Sequence, residues 1–500
     1  MQEWFEAALN PDYTVIKSLF DQKLVTDVNI KQSGETSLLI AASTGNENVV
    51  TYLVQSSADV NIGRTSDGKT PLMAAAAAGY TRIVLYLLQA KADLHQKDSY
   101  GDMALHYAKK AGQREIVVTL VGEGARSDPE RIVIVMGAGF TRAFLPKAPL
   151  LLDNYGIEGV LTTKYQHLRY AREILHDELT RGSHHGAGYV DLERLMTRLV
   201  GGMPYDAGHA ATDQLNSLLN DVKLLFLIRL EKAREDFNHC AKEAMKALAL
   251  DCLNKQATII TFNYDEFFDE MLFETSSLEN PWNPNRGYGF FCKSSGQLFG
   301  SNPGPVQYHP TAVRMLKLHG SVNWRVMSGA HEPFQMDTIY HHSIWYLAGN
   351  PEKPNQEEQE FSRSLPKQFE AQPLIVPPIL TKSALNAQPI LRYLWEQAYD
   401  ALTVADRVIF VGYSLPVTDI AASFLFQESM SYVPDIEVVG WVDCNASLED
   451  QIAKQEELMN SYRRVFPGLR DDQCRFDGAR AWAESFITPV TKPAGTTTPV

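Results

Sequence analysis

The sequence predicts a multidomain chain in which an all-α repeat solenoid precedes an α/β domain built on a parallel sheet. Three observations carry the prediction. The chain has 500 residues, more than one hydrophobic core normally serves. Its first quarter repeats itself. Beyond that, apolar runs alternate with helical stretches, the pattern of a parallel sheet covered on both faces. At 45% hydrophobic and 21% charged, the composition is that of an ordinary globular chain.

The repeat comes first. GETSLLIAASTGNENVVTYLVQSSADVN begins at Gly34, GKTPLMAAAAAGYTRIVLYLLQAKADLH at Gly68 and GDMALHYAKKAGQREIVVTLVGEGA at Gly101, so the starts lie 34 and then 33 residues apart. That is the period of a helix-pair repeat. Each unit opens on a glycine turn, runs through a short apolar helix to an internal glycine (Gly45, Gly79, Gly112), and continues into a second helix with an apolar face. The units resemble ankyrin repeats. Thr70, Pro71 and Leu72 match that family's helix-opening tripeptide, and the first and third units depart from it. A more degenerate unit is expected before Gly34 as a cap, because a stacked array needs a polar outer end. Residues 1–126 are assigned to this solenoid. His106 falls where such units often carry a structural histidine, a role favoured over ligation. The resemblance implies a sensor or docking module with a protein partner.

The texture changes after SDPE. RIVIVMGAGFTRAF is a β-rich apolar run ending in glycines, and ATIITFNYD, RMLKLHG, RVIFVGYS and EVVGWVD follow as further strands. The second domain is expected over 130–488. Within it, 156–250 reads as a mainly helical insertion of 3.6-residue period, and 340–372 as an exposed insertion or lid. Residues 489–500 read as a disordered tail.

Charge and cysteine usage exclude several classes. Lys and Arg number 46 against 60 Asp and Glu, a net charge of −14, which argues against a phosphate-tracking nucleic-acid surface. No apolar stretch is long enough to span a membrane, and MQEWFEAALNPDY has no signal-peptide pattern, so a cytoplasmic chain is expected. Cys240, Cys252, Cys292, Cys444 and Cys474 are scattered without a CxxC pair, as suits reduced thiols, and they supply no four-thiolate zinc site.

In an open parallel sheet, ligands gather at the carboxyl ends of the strands. Here those ends are Gly137-Ala138-Gly139; Asn263 and Asp265 of TFNYD; His319 of LKLHGS; Gly412-Tyr413-Ser414 followed by Asp419; and Asp443 of EVVGWVD. Glycines without side chains let backbone amides near a helix start approach a pyrophosphate; the alternative is a tight strand-to-helix turn. A dehydrogenase fingerprint needs a third glycine at 142, where this chain has Arg142. Period-2 alternation sends Asn263 and Asp265 to one side, where an amide beside a carboxylate could orient a water and hold ribose hydroxyls. Asp265 could equally cap the following helix. A lone histidine such as His319 is more often a core residue than a catalytic one. Asp443 stands where an acid could hold an adenosine ribose.

These five strand ends occur in the order found in the SIR2, or sirtuin-like, superfamily, which the chain resembles over about residues 130 to 445. The resemblance implies a Rossmann-like fold and NAD as substrate, with no metal. In that family the asparagine and histidine act at the nicotinamide ribose, and they fall here on Asn263 and His319. It further implies cofactor contacts from Gly137, Ala138, Gly139, Thr141, Gly412 and Ser414 at the phosphates, from Asp265 and Asp443 at the riboses, and from Arg142 on the nicotinamide or phosphate side. There are departures. No cysteine lies between His319 and Gly412, where deacylases of the family carry two CxxC pairs. The segment TRAFLPKAPLLLD replaces the family's proline-rich one, and Phe262 stands where deacylases tend to have glutamine. The chain therefore resembles the bacterial NAD-hydrolysing effectors of anti-phage defence. This implies hydrolysis of NAD to nicotinamide and ADP-ribose, held in check by a homo-oligomer or by the repeats until an activating protein or phage-derived ligand is sensed. The stretch 212–250 could supply an oligomer contact or a core helix pair. Two alternatives stay open: an NAD-dependent deacylase or ADP-ribosyl transferase acting on a recruited protein, and a non-enzymatic adaptor that binds NAD or ADP-ribose.

Overall fold

The computed structural model describes residues 2–10, 12–127, 129–150, 152–154, 176, 180–181, 189–200, 219, 230, 233–277, 279–282, 287–288, 313–326, 338–339, 372–375, 389–417, 419–431 and 435–487. The array comprises four helix pairs: Gln2–Leu9 with Thr14–Asp21, Ser37–Thr44 with Glu47–Gln55, Pro71–Ala78 with Thr81–Gln89, and Ala104–Lys110 with Arg114–Gly122. The expected unit before Gly34 is the first of these. Two first helices open on a threonine cap. The Thr36 hydroxyl accepts from the Leu39 amide at 3.2 Å and that of Thr70 from the Met73 amide at 3.3 Å, satisfying donors that a helix start otherwise leaves open.

The loops between units are laddered by a recurring Asp-x-Asn. Asn29 Oδ1 accepts from the Asp59 amide, and Asn61 Oδ1 from the Asp93 amide, each at 2.8 Å. A continuous apolar core from Trp4 through Leu38, Leu72 and Leu105 to Leu120 runs under the helices. In the last unit Met103 replaces the capping threonine, and its amide donates to His106 Nδ1 at 2.9 Å. His106 is buried, with Nε2 2.8 Å from Ser127 Oγ. Its position is a structural one.

Among the described residues, the second region is built on a six-stranded parallel sheet. We number its strands β1 (Ile132–Met136), β2 (Thr258–Thr261), β3 (Arg314–Lys317), β4 (Arg407–Val411), β5 (Asp435–Val439) and β6 (Cys474–Arg475), and their spatial order is β6-β5-β4-β1-β2-β3. All residues of β1 are buried. Successive side chains point to opposite faces, so both faces of the central strand are covered. The register of β4 on β1 runs from Arg407 opposite Ile132 to Val411 opposite Met136. Connectivity reverses between these two strands. Five of the strands were expected; the two-residue edge strand β6 was not.

RMLKLHG, expected as a strand running to the histidine, stops two residues short of it. Strand β3 stops at Lys317, and a new strand, Gly320–Val326, pairs antiparallel with Gln372–Ile375 and Thr338–Ile339 in a separate sheet. Gly320, at φ +83°, takes the left-handed conformation that the break requires. Within the stretch read as helical, the described residues include helices Leu192–Val200 and His239–Lys255. They also include Tyr189–Asp191, which pairs antiparallel with Leu152–Asn154. The lid expected over 340–372 lies outside the described residues except for Gln372, and the tail at 489–500 lies wholly outside them. No helix among the described residues is long and apolar enough to cross a membrane.

The last repeat packs on the sheet. Buried Lys109 donates to the Ala405 carbonyl at 2.9 Å and lies 3.3 Å from Asp406 Oδ1. The Arg131 amide donates to Asp406 Oδ2 at 3.0 Å, and the Arg131 guanidinium reaches Asp102 Oδ1 at 2.8 Å and the Gly101 carbonyl at 2.7 Å. Asp406 and Arg131 directly precede β4 and β1.

Candidate active site

A cavity of about 560 Å³ opens at the carboxyl ends of β1, β2, β4 and β5, a size suited to a small organic ligand. Of the residues expected at a site, Ala138, Gly139, Thr141, Asn263, Asp265, His319, Gly412 and Ser414 line it. Gly137, Arg142 and Asp443 do not.

The glycines serve a close crossing of two loops. The Gly139 amide donates to the Gly412 carbonyl at 2.9 Å, and the Gly137 amide to the Val411 carbonyl at 3.2 Å. A Cβ on Gly412 would lie 2.1 Å from the Phe140 amide nitrogen, and Gly412 has φ +60°. The expected cradle of free amides at Gly137 and Gly139 is therefore not formed, because the end of β4 and the loop after it take both donors. Arg142 reaches the Ala148 carbonyl and so braces the loop whose Ala148, Pro149 and Leu150 line the cavity. It does not line the cavity itself. The Asp443 carboxylate accepts from the Asn445 amide at 2.9 Å and its side-chain amide at 3.2 Å. That turn precedes helix Leu448–Arg463, since a short acid readily bonds the backbone two residues on. At that end the lining includes Trp441 and Lys454 instead.

Asn263 is held from behind. Its Nδ2 donates to the Gly137 carbonyl at 2.9 Å and to Thr141 Oγ1 at 3.0 Å, and the Thr141 hydroxyl donates onward to Asp265 Oδ2 at 2.6 Å. A carbonyl can only accept, so the amide orientation is forced. Asn263 is 8% exposed, and its Oδ1 is buried with no hydrogen-bond partner among the described residues. Native structures rarely leave such an atom unpaired without a reason. Thr141 is thus a bridge that orients Asn263. Asp265 Oδ1 also accepts from the Phe267 amide at 3.3 Å, so this carboxylate both lines the cavity and bonds the first amide of the next helix, whose cap position is Glu266. Burial pushes the Asp265 carboxyl above the usual carboxylate range, while the Lys317 ammonium and the Thr141 hydroxyl pull it back.

His319 is 6% exposed and walled by aromatic rings. Phe262 meets it edge-on with centroids 5.2 Å apart, and stacks on Tyr413 at 4.6 Å with planes 8° from parallel. The Tyr413 hydroxyl donates to Asp419 Oδ2 at 2.9 Å, and Asp419 Oδ1 accepts from the Ala422 amide at 3.3 Å, so Asp419 caps helix Ile420–Ser429 and anchors the stack. Trp395 Nε1 donates to the Leu318 carbonyl at 3.0 Å. Sequence reasoning passed over Lys317, a charge set inside an apolar run and fully buried; that contrast was the available signal.

Comparison with known proteins bears on the array. A family model described as ankyrin repeats matches residues 4–98 and 68–131, in three copies. No curated protein matches the chain. The first region of this chain therefore carries ankyrin repeats, and the second is an α/β region with a parallel sheet.

Proposed function

We propose that the chain is an NAD glycohydrolase, cleaving NAD to nicotinamide and ADP-ribose, and that it serves as a regulated effector of anti-phage defence with the ankyrin array as its sensor. The observation that carries this reading is Asn263 Oδ1, buried and unpartnered among the described residues, in a side chain that shares its cavity with His319. The sheet order supports it: β3-β2-β1-β4-β5-β6 is the order of doubly wound, Rossmann-type sheets, which bind dinucleotides at the reversal between β1 and β4. The SIR2-like succession of strand ends supplies the choice of NAD.

In the reaction, the bond from ribose C1′ to the nicotinamide nitrogen breaks and nicotinamide leaves with the electron pair. Water oxygen bonds to C1′. Asn263 Oδ1 accepts a hydrogen bond from that water and holds it in place, and neutral His319 takes its proton. Thr141 keeps the asparagine amide turned so that Oδ1 stays available. Asp265 holds Thr141.

The test is nicotinamide release by purified protein, with candidate activators from phage-infected cells, together with NAD concentration in cells under phage challenge. A general base contributes about 10² to 10⁴ in rate, so His319→Ala should lose at least about 100-fold, and Asn263→Ala, which loses the anchor of the attacking water, on the order of 100-fold. Equal activity in wild type and both variants would overturn the reading.

A further inference from the structure

We propose that Lys317 and Ser321 are positioning residues, which clasp the loop bearing Asn263 to the segment bearing His319. The inference rests on the hydrolase reading for the reaction it names, and on geometry for the clasp itself.

The parallel ladder between β2 and β3 ends at Thr261 opposite Lys317. Both reacting side chains lie just beyond that end, where regular strand pairing no longer fixes one chain against the other. Three bonds take its place. The Leu318 amide donates to the Thr261 carbonyl at 3.0 Å. Ser321 Oγ donates to the Tyr264 carbonyl at 3.2 Å, and Lys317 Nζ to the Asp265 carbonyl. The acceptors bracket Asn263, and the two side-chain donors stand two residues before and two residues after His319.

Lys317 is itself held. Asp269 Oδ2 accepts from Lys317 Nζ at 2.8 Å and from the Tyr288 hydroxyl at 2.5 Å, and all three residues are buried. A buried ion pair is a poor stabiliser, since apolar residues of like volume commonly do as well or better. Met315, Leu316 and Leu318 surround this position with apolar chain, so a fourth apolar residue would serve packing alone. What an apolar residue cannot do is donate to the Asp265 carbonyl.

The test uses the full chain with Lys317→Met and Asp269→Asn combined, so that Asp269 is not left as an unpaired charge and the Tyr288 hydroxyl keeps an acceptor. Asp265 also loses the Lys317 charge in this variant, so Ser321→Ala, which removes no charge, separates the clasp from that effect. Ser321→Ala is the second variant, and serves alone if the first fails to fold. Misplacing a reacting group by about 1 Å costs on the order of 100-fold. The double variant should therefore lose about 10- to 100-fold in kcat with KM for NAD changed less than about twofold. Hydrogen exchange in residues 261–266 should quicken in both variants. An unchanged kcat, or a rise in KM alone, would overturn the proposal. If wild type releases no nicotinamide under any activator, the hydrolase reading fails separately, and exchange decides the clasp: faster exchange upholds it, unchanged exchange overturns it.

Discussion

Single residues at the cavity are fixed by what lies across from them. Gly412 combines a left-handed backbone with a Cβ position 2.1 Å from the Phe140 nitrogen, whereas Gly101, at φ +79°, has nothing within 4 Å of its Cβ position. Gly101→Ala should cost only its backbone strain, about 1 kcal/mol. Gly412→Ala should cost about 3 kcal/mol, because the crossing with Gly139 must also part. Urea midpoints compare the two directly, and equal losses would contradict the crossing argument. The sequence showed both as loop glycines and could not rank them, because the clash belongs to a residue far away along the chain. Asn263 and His319 were legible for the opposite reason. Each is a polar residue ending an apolar strand, and strands of one parallel sheet end on one side. Asp443 had the same signature, yet its carboxylate serves a local turn, an outcome decided by backbone conformation.

At the scale of an element, the last repeat shows how a departure from a pattern is compensated. Met103 has no hydroxyl to accept from the third amide of its helix; the His106 amide turns to the Met103 carbonyl, and the His106 ring accepts from the Met103 amide inside the core. Burial pushes His106 down to about 3, with the Arg131 and Lys109 charges adding to this and Asp102 and Asp406 opposing it. In the unfolded chain the same ring takes its proton near the usual value of about 6.5. Between those values the unfolded state binds a proton that the native state refuses, so stability falls as pH drops through the window, by up to about 1.4 kcal/mol per pH unit. Asp102 and Asp406 are both held below the usual range: burial raises each, but Lys110 and Arg131 outweigh it at Asp102, and Lys109, Ser127 and the Arg131 amide at Asp406. Their stabilising contribution is lost only at lower pH. Asp265, raised by burial, works in the opposite direction. Denaturation midpoints between pH 7 and pH 5 should fall more steeply in wild type than in His106→Gln; parallel slopes would show that His106 is not the group responsible. The early end of β3 also belongs to this scale. Leu316 and Leu318 keep the period of a strand past Lys317, where the ladder with β2 ends, so periodicity carries the strand further than hydrogen bonding does.

At the scale of the whole molecule, the array is joined to the sheet at the entrance of β1 and β4, two of the four strands whose exits form the cavity. Lys109, 2% exposed, spans the joint by bonding Ala405 and Asp406. Arg131 spans it in the other direction through Asp102 and Gly101. From there β1 and β4 run in register to Met136 and Val411, and the next residues are Gly137 and Gly412. The repeats and the sheet were each readable from period and apolar pattern. Their junction was not, because a lysine on a repeat helix reads as surface until its partner on the other domain is known. Burial pulls the Lys109 ammonium below the usual lysine range, and Asp406 pulls it back. Lys109→Ala leaves Asp406 with the Ser127 hydroxyl and the Arg131 amide as partners, so the loss should be on the order of 2 kcal/mol, below that of a wholly unpaired buried charge. That cost falls on the joint, since the solenoid core and the sheet core are separate clusters. Wild type should therefore unfold with array and sheet coupled in one calorimetric transition, and Lys109→Ala should divide it into two. A variant that melts in one transition at the wild-type temperature would show that the array is held to the sheet by other contacts.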